Sequence, residues 1–168
     1  MITDFIARVL VIDDQPASVG LLMAYLQDRD IDLLVAQNGD DGLRIAADAQ
    51  PDLILLDVLM PATDGFTICQ RLKADGRTVD IPVIFLSAAM ETEDKLRGFA
   101  AGAADYITKE ASRDEIVLRI RNVLERSELA SENVRLRRTL GRYEEFEEII
   151  GVSHWIGQLK DQVGQIAA

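Results

Sequence analysis

The sequence predicts an α/β protein built on a five-stranded parallel sheet with helices on both faces. Five short apolar runs alternate with segments of helical period, the strand-then-helix rhythm that builds parallel sheets. The runs are continuously apolar rather than alternating, as strands covered on both faces are. Each run also stops at a polar residue, which matters because ligands of such sheets bind at the carboxyl ends of the strands.

The elements follow in order. Arg8–Ile12 (RVLVI) reads as a buried strand, closed by Asp13 and Asp14. Pro16 suits a helix start, and Val19, Leu22, Met23 and Leu26 form one face of that helix. Leu33–Ala36 is the second strand, and Gly39–Ala49 a short helix stopped before Pro51. Leu53–Leu56 (LILL) is the third strand, ending at Asp57. A turn with Pro61 and Gly65 leads into a helix from about Phe66 to Ala74. Pro82–Leu86 (PVIFL) is the fourth strand, ending at Ser87. Glu91–Ala101 is a helix closed by Gly102, a residue type that stops helices. Asp105–Thr108 is the fifth strand, ending at Lys109. Ser112 can cap the last helix, with Glu115 at the capping-box position.

Composition narrows the function. The 168 residues are 48% apolar, enough for a sizeable core, and carry a net charge of −11. Residues 1–125 hold 12 Lys/Arg against 22 Asp/Glu, so the acidity sits there. That balance argues against direct nucleic-acid contact, which needs a basic footprint. No apolar run reaches the roughly 18–20 residues of a membrane span, and the start MITDFIARVLVIDD lacks signal-peptide features. Cys69 is the one cysteine, so no intrachain disulfide forms and a cytoplasmic setting is expected. With His154 the one histidine, carboxylates are left to do the chemistry.

The last helix outruns the domain. Leu129, Asn133, Leu136, Leu140 and Tyr143 are spaced 4, 3, 4, 3, a heptad seam with Asn133 and Leu140 at a and the others at d. A polar Asn at a favours a parallel dimer in fixed register, so a coiled-coil homodimer is expected, with packing on its own domain as the plainer alternative. Acidic Glu144, Glu145, Glu147 and Glu148 follow Gly141, then an amphipathic stretch with Ile156, Leu159, Val163 and Ile166. The expected division is a first domain over 1–125, a dimerising linker over 126–143, and over 144–168 the start of a truncated output domain.

Asp13, Asp14, Asp57, Ser87 and Lys109 all fall just past strand ends, so they converge on one sheet edge. Clustered carboxylates suit Mg²⁺, a hard cation that takes oxygen ligands. Asp57 can attack a phosphoryl group as a carboxylate nucleophile, Lys109 can steady the oxygens, and Ser87 can hydrogen-bond one of them. Singly, each residue has a plainer reading as a cap, a turn or a solvated charge. Together they do not.

VLVIDDQP, PDLILLDVLMPATDGF, IPVIFLSA and GAADYITK resemble the receiver domain of two-component response regulators over about residues 7–125. The resemblance implies a flavodoxin-like sheet of order 2-1-3-4-5, extended here by the coiled-coil helix. It implies Asp57 as phosphoacceptor, served by a sensor histidine kinase, and Mg²⁺ held by Asp13, Asp14, Asp57 and the backbone carbonyl of Leu59. It implies Lys109 as the site's lysine, Ser87 as the hydroxyl switch and Tyr106 as the switch aromatic. The family pattern has Pro after the lysine, with a cis bond; this chain has Glu110. A non-prolyl cis bond costs about 2.5–4 kcal/mol, so a trans Lys109–Glu110 bond and a shifted loop are expected. Leu59 and Ala89 flank the acceptor and the switch, and neither can orient water, so slow self-dephosphorylation is expected.

The tail EEFEEIIGVSHWIGQLKDQVGQIA is similar to the segment leading into the ATPase domain of sigma-54-dependent activators, with His154 where that pattern has Pro. No G-x-x-x-x-G-K-[ST] signature is present, so ATP is not bound that way. Two other readings compete. A haloacid-dehalogenase-type phosphatase needs Asp-x-Asp after its first strand, and Asp57-Val58-Leu59 lacks the second Asp. A degenerate receiver would dimerise without phosphorylation, a reading supported by Glu110 alone.

Overall fold

The computed structural model describes residues 7–27, 30–88 and 92–166, with side chains described to residue 141 except at Thr92. The chain divides into two compact units, 1–126 and 127–168, taken here one at a time.

In the first unit, β1 (Ala7–Ile12), β2 (Ile31–Ala36), β3 (Leu53–Asp57), β4 (Val83–Ser87) and β5 (Asp105–Thr108) form one parallel sheet of order β2-β1-β3-β4-β5. Between them run α1 (Pro16–Leu26), α2 (Gly39–Ala49), α3 (Gly65–Ala74) and α4 (Thr92–Ala100), and α5 (Arg113–Ile166) follows β5. This is the expected fold and strand order. β2 starts earlier than the apolar pattern suggests because its first residues pair with β1 from Ala7↔Ile31 onward. The expected start of α4 at Glu91 lies outside the described residues.

Successive strand residues point to opposite faces, so the continuous apolar runs feed two cores. Leu10, Ile12, Ile54, Leu56, Val83 and Phe85 meet Ala46 of α2 and Ile68, Cys69 and Leu72 of α3. Val9, Val11, Leu53, Leu55, Ile84 and Leu86 meet Val19, Leu22 and Leu26 of α1 and Ile116, Ile120 and Val123 of α5. Burying a side chain of this kind contributes about 1.5–3 kcal/mol, and the two cores fix the sheet edge that carries the polar residues.

Local signals hold the helix ends. The Asn38 side chain accepts the Asp41 N–H at 2.8 Å to cap α2. Asp64 Oδ1 accepts the Thr67 N–H at 2.7 Å to cap α3. Ser112 Oγ accepts the Glu115 N–H at 3.3 Å at the start of α5, as the sequence suggests. Gly102 follows α4 with a left-handed φ of 97°, which glycine adopts without a side-chain penalty. Helix α5 does not stop at Gly141 but runs on to Ile166. One interior glycine costs only about 1 kcal/mol relative to alanine, too little to end a helix by itself.

Candidate functional site

The sheet brings the expected residues to one edge. Asp13 follows β1, Asp57 and Ser87 end β3 and β4, and Lys109 follows β5. One carboxylate oxygen each from Asp13, Asp14 and Asp57 lies within 4.8 Å of the others.

Asp13 is fully buried. Its Oδ1 accepts the Gln15 N–H at 2.8 Å, and its Oδ2 accepts a hydrogen bond from Lys109 Nζ at 3.0 Å. Asp57 is 1% exposed. Its Oδ1 accepts the Leu59 N–H at 3.2 Å. Its Oδ2 lies 3.1 Å from Lys109 Nζ but without hydrogen-bond alignment, so it counts as ion-paired and still open to a ligand. The half-buried Asp14 presents Oδ1, buried and with no hydrogen-bond partner. Burial drives the Asp57 carboxyl above its ordinary range, against the opposing attraction of the Lys109 ammonium beside it. Burial also pulls the Lys109 ammonium down, but its hydrogen bond to Asp13 and the charges of Asp13 and Asp57 overcome that and raise it.

Lys109 is placed by its backbone as well, its N–H donating to the Ser87 carbonyl at 2.7 Å. No peptide bond among the described residues is cis, so Lys109–Glu110 is trans as expected. The ammonium reaches the carboxylates without the family's proline.

The residues fit a divalent cation. Three carboxylates face one ammonium, leaving two negative charges uncompensated. Two buried carboxylate oxygens, on Asp14 and Asp57, lack hydrogen-bond partners. Buried polar atoms are ordinarily satisfied, and a hard cation with oxygen ligands satisfies both at once.

Ser87 is 3% exposed and stands next to Leu86, the register partner of Asp57. Tyr106, on β5, is half-buried and packs against the α2–α3 side of the core. Its hydroxyl is buried without a partner, and Lys95 Nζ lies 5.2 Å from its ring centroid. Burial raises its pKa. Leu59 is 68% exposed, while Ala89 lies outside the described residues. In the second unit Leu129, Leu136 and Leu140 are at least half exposed, and the Asn133 side chain donates to the Leu129 carbonyl at 3.3 Å. The Tyr143 side chain lies outside the described residues.

Two residues with roles at the site were not singled out from sequence. Gly65 is one: a Cβ there would lie 2.3 Å from the Asp57 carbonyl oxygen and 2.9 Å from Val58 Cα, so only glycine lets α3 start against the strand end. Its place in the Asp-Gly pair marked a turn but not this approach. Ser18 is the other, its hydroxyl 3.3 Å from Lys109 Nζ. No sequence signal links residues 91 positions apart.

Comparison with known proteins agrees with this geometry. The family profile described as the response regulator receiver domain matches residues 9–121, and the chain belongs to that family. It is 45% identical over 121 residues to the DNA-binding dual master transcriptional regulator RpaA of Synechocystis, covering 72% of this chain and 50% of that protein. It is 40% identical over 136 residues to the response regulator PleD of Caulobacter vibrioides, covering 81% and 30%. The BeF3-activated N-terminal receiver domain of Klebsiella pneumoniae RstA superposes with a TM-score of 0.63 at 30% identity, covering 70% of this chain and 97% of that one. The chain thus spans half of RpaA and under a third of PleD. The sigma-54-dependent type expected from residues 144–167 is not supported, because regulators such as RpaA and PleD align instead. A short amphipathic helix is too common a pattern to define an output domain.

Proposed function

We propose that this chain is the phosphoryl-accepting part of a response regulator, with Asp57 as the acceptor. The observation that carries the reading is the cluster of Asp13, Asp14 and Asp57, with Lys109 paired to Asp13 and Asp57 and open buried oxygens on Asp14 and Asp57. The Asp57 carboxylate attacks the phosphorus of a kinase phosphohistidine. The new P–O bond forms as the P–N bond breaks, and the imidazole leaves with the electron pair. Lys109 stays beside the acceptor and faces the negative charge spread over the transferring oxygens. Asp13, Asp14, Asp57 and the Leu59 carbonyl would hold a Mg²⁺ ion, which would supply Lewis-acid neutralisation of that charge. Ser87 then hydrogen-bonds a phosphoryl oxygen, and Tyr106 moves with it, altering the surface around β5.

The resulting change in dimer state controls an output domain, with the seam of Leu129, Asn133, Leu136, Leu140 and Tyr143 joining two copies. Transcription is the output class that the kinship with RpaA supports. A sensor histidine kinase is the donor, as for the family, and the cytoplasm is the setting that fits it. No described helix is long and apolar enough to cross a membrane.

The test is intact-mass analysis after incubation with Mg²⁺ and a small phosphodonor. One phosphoryl group is expected on wild type and none on Asp57→Ala. Equal labelling of the two would overturn Asp57 as acceptor.

A further inference from the structure

Lys109 is the one cation in the described part of the acidic site, and what aims it is more than its two carboxylate partners. An ammonium has three N–H donors. Around Lys109 Nζ stand three oxygens: Asp13 Oδ2 at 3.0 Å, Asp57 Oδ2 at 3.1 Å and Ser18 Oγ at 3.3 Å. Ser18 belongs to the first turn of α1, an element otherwise occupied with the core. Its hydroxyl also lies 3.4 Å from Gln15 Oε1. An amide oxygen only accepts and an ammonium only donates. The direction of both bonds is therefore fixed: Ser18 gives its proton to Gln15 and offers its lone pair to Lys109.

The need for such a contact follows from the rest of the site. Cation binding and phosphoryl transfer both draw on the Asp13 and Asp57 oxygens, so the two carboxylate partners of Lys109 are the ones the reaction takes over. Ser18 is the partner that the reaction leaves alone. The backbone after Lys109 is not set by a proline ring, since Glu110 follows with a trans bond. A cavity of about 30 Å³ lined in part by Asp13, Ser18, Thr108 and Lys109 leaves the ammonium space to pivot, about the room of one water.

We propose that Ser18 is a positioning residue, holding the Lys109 ammonium at the acceptor through a hydroxyl that the chemistry does not consume. The proposal rests on the reading of Asp57 as phosphoacceptor, and its test separates the two. The full chain is prepared as wild type, Ser18→Ala and Ser18→Thr. In the first arm, the rate of phosphoryl uptake from a small donor is followed by intact mass. Ser18→Ala slows uptake by about three- to tenfold, the size of one charge-assisted hydrogen bond that is partly exposed, and Ser18→Thr restores it. Alanine is also the stronger helix former, so the urea midpoint of Ser18→Ala does not fall, which a merely structural role would require.

The second arm needs no phosphorylation. An ammonium held by two hydrogen bonds and an ion pair exchanges its protons slowly, so Lys109 Nζ gives an ¹⁵N–¹H signal in wild type and Ser18→Thr that broadens in Ser18→Ala. A signal that persists in Ser18→Ala, or uptake that is the same in all three proteins, overturns the positioning role. Absence of phosphoryl uptake in wild type, with the signal behaving as expected, overturns the Asp57 reading and leaves Ser18 as an anchor of Lys109 alone.

Discussion

Replacing Asp57, the proposed acceptor, with asparagine is expected to make the protein more stable in the absence of a divalent cation. Asp57 is 1% exposed and shares its pocket with two other carboxylates whose oxygens come within 4.8 Å. At that separation and an effective dielectric near 20, each like-charge pair costs about 3.5 kcal/mol or more. Against two such repulsions stands the attraction of Lys109 at 3.1 Å, about 5 kcal/mol on the same footing. Repulsion exceeds attraction before the loss of hydration is counted, and the raised Asp57 pKa has the same sign, with burial as its largest cause. Neutralising such a group is expected to stabilise by about 2 kcal/mol, the excess of two repulsions over one attraction. The pH sign follows. With a folded pKa above the unfolded one, Asp57 costs nothing below about pH 4, and its cost grows as pH rises through the raised value. The advantage of Asp57→Asn should therefore grow as pH rises through the raised value and fade toward pH 4. The assay is urea unfolding with EDTA across that range, then with Mg²⁺, which stabilises wild type by mass action and narrows the difference. A variant no more stable than wild type in EDTA at neutral pH would refute the reasoning.

Gly65→Ala forces a Cβ to within 2.3 Å of the Asp57 carbonyl oxygen, so it should cost about 1–3 kcal/mol and slow phosphoryl uptake with it. Gly20→Ala, on α1 with nothing within 4 Å of the new Cβ, should instead stabilise by about 0.5–1 kcal/mol; the same unfolding experiment reads both signs. Asp75 should titrate at about 2 by carboxyl ¹³C NMR, because the Arg77 side chain and N–H both bond it, and Arg77→Ala should return it toward the ordinary carboxylate range. Leu59→Asn should shorten the lifetime of the phosphorylated state by bringing a polar group to an exposed position beside the acceptor; an unchanged decay by intact mass would count against slow self-dephosphorylation in wild type. Leu136→Asp should shift sedimentation toward the monomer if the seam pairs two copies.

Much of the site could be read because strand ends are legible. Apolar runs stop abruptly at Asp13, Asp57, Ser87 and Lys109, and parallel topology then fixes that these stops share an edge. The lysine contact to both carboxylates needed no more than that. Ser18 and Gly65 escaped for a physical reason. Ser18 matters through one hydroxyl aimed across 91 residues, and helical periodicity carries no information about which first-turn serine faces a distant loop. Gly65 matters through the volume it does not fill, and the sequence shows the glycine without the carbonyl pressed against it. Continuing α5 past Gly141 needs only about 1 kcal/mol from its neighbours, because a glycine's propensity is a small local term.

The charge of the pocket orders the events it can support. With Lys109 alone the three carboxylates carry an excess of two negative charges, and a phosphoryl group brought there would add to it. A divalent cation cancels that excess, so its binding and phosphoryl transfer are coupled by electrostatics, whatever the donor. Lys109 sits at the junction, because Asp13 and Asp57, which hold it, are also members of the carboxylate cluster that suits a cation. An ammonium released from one carboxylate must keep another partner or lose its aim. The fold answers this by setting α1 against the end of β5, where a side chain outside the acidic cluster can hold the lysine as the carboxylates change partners.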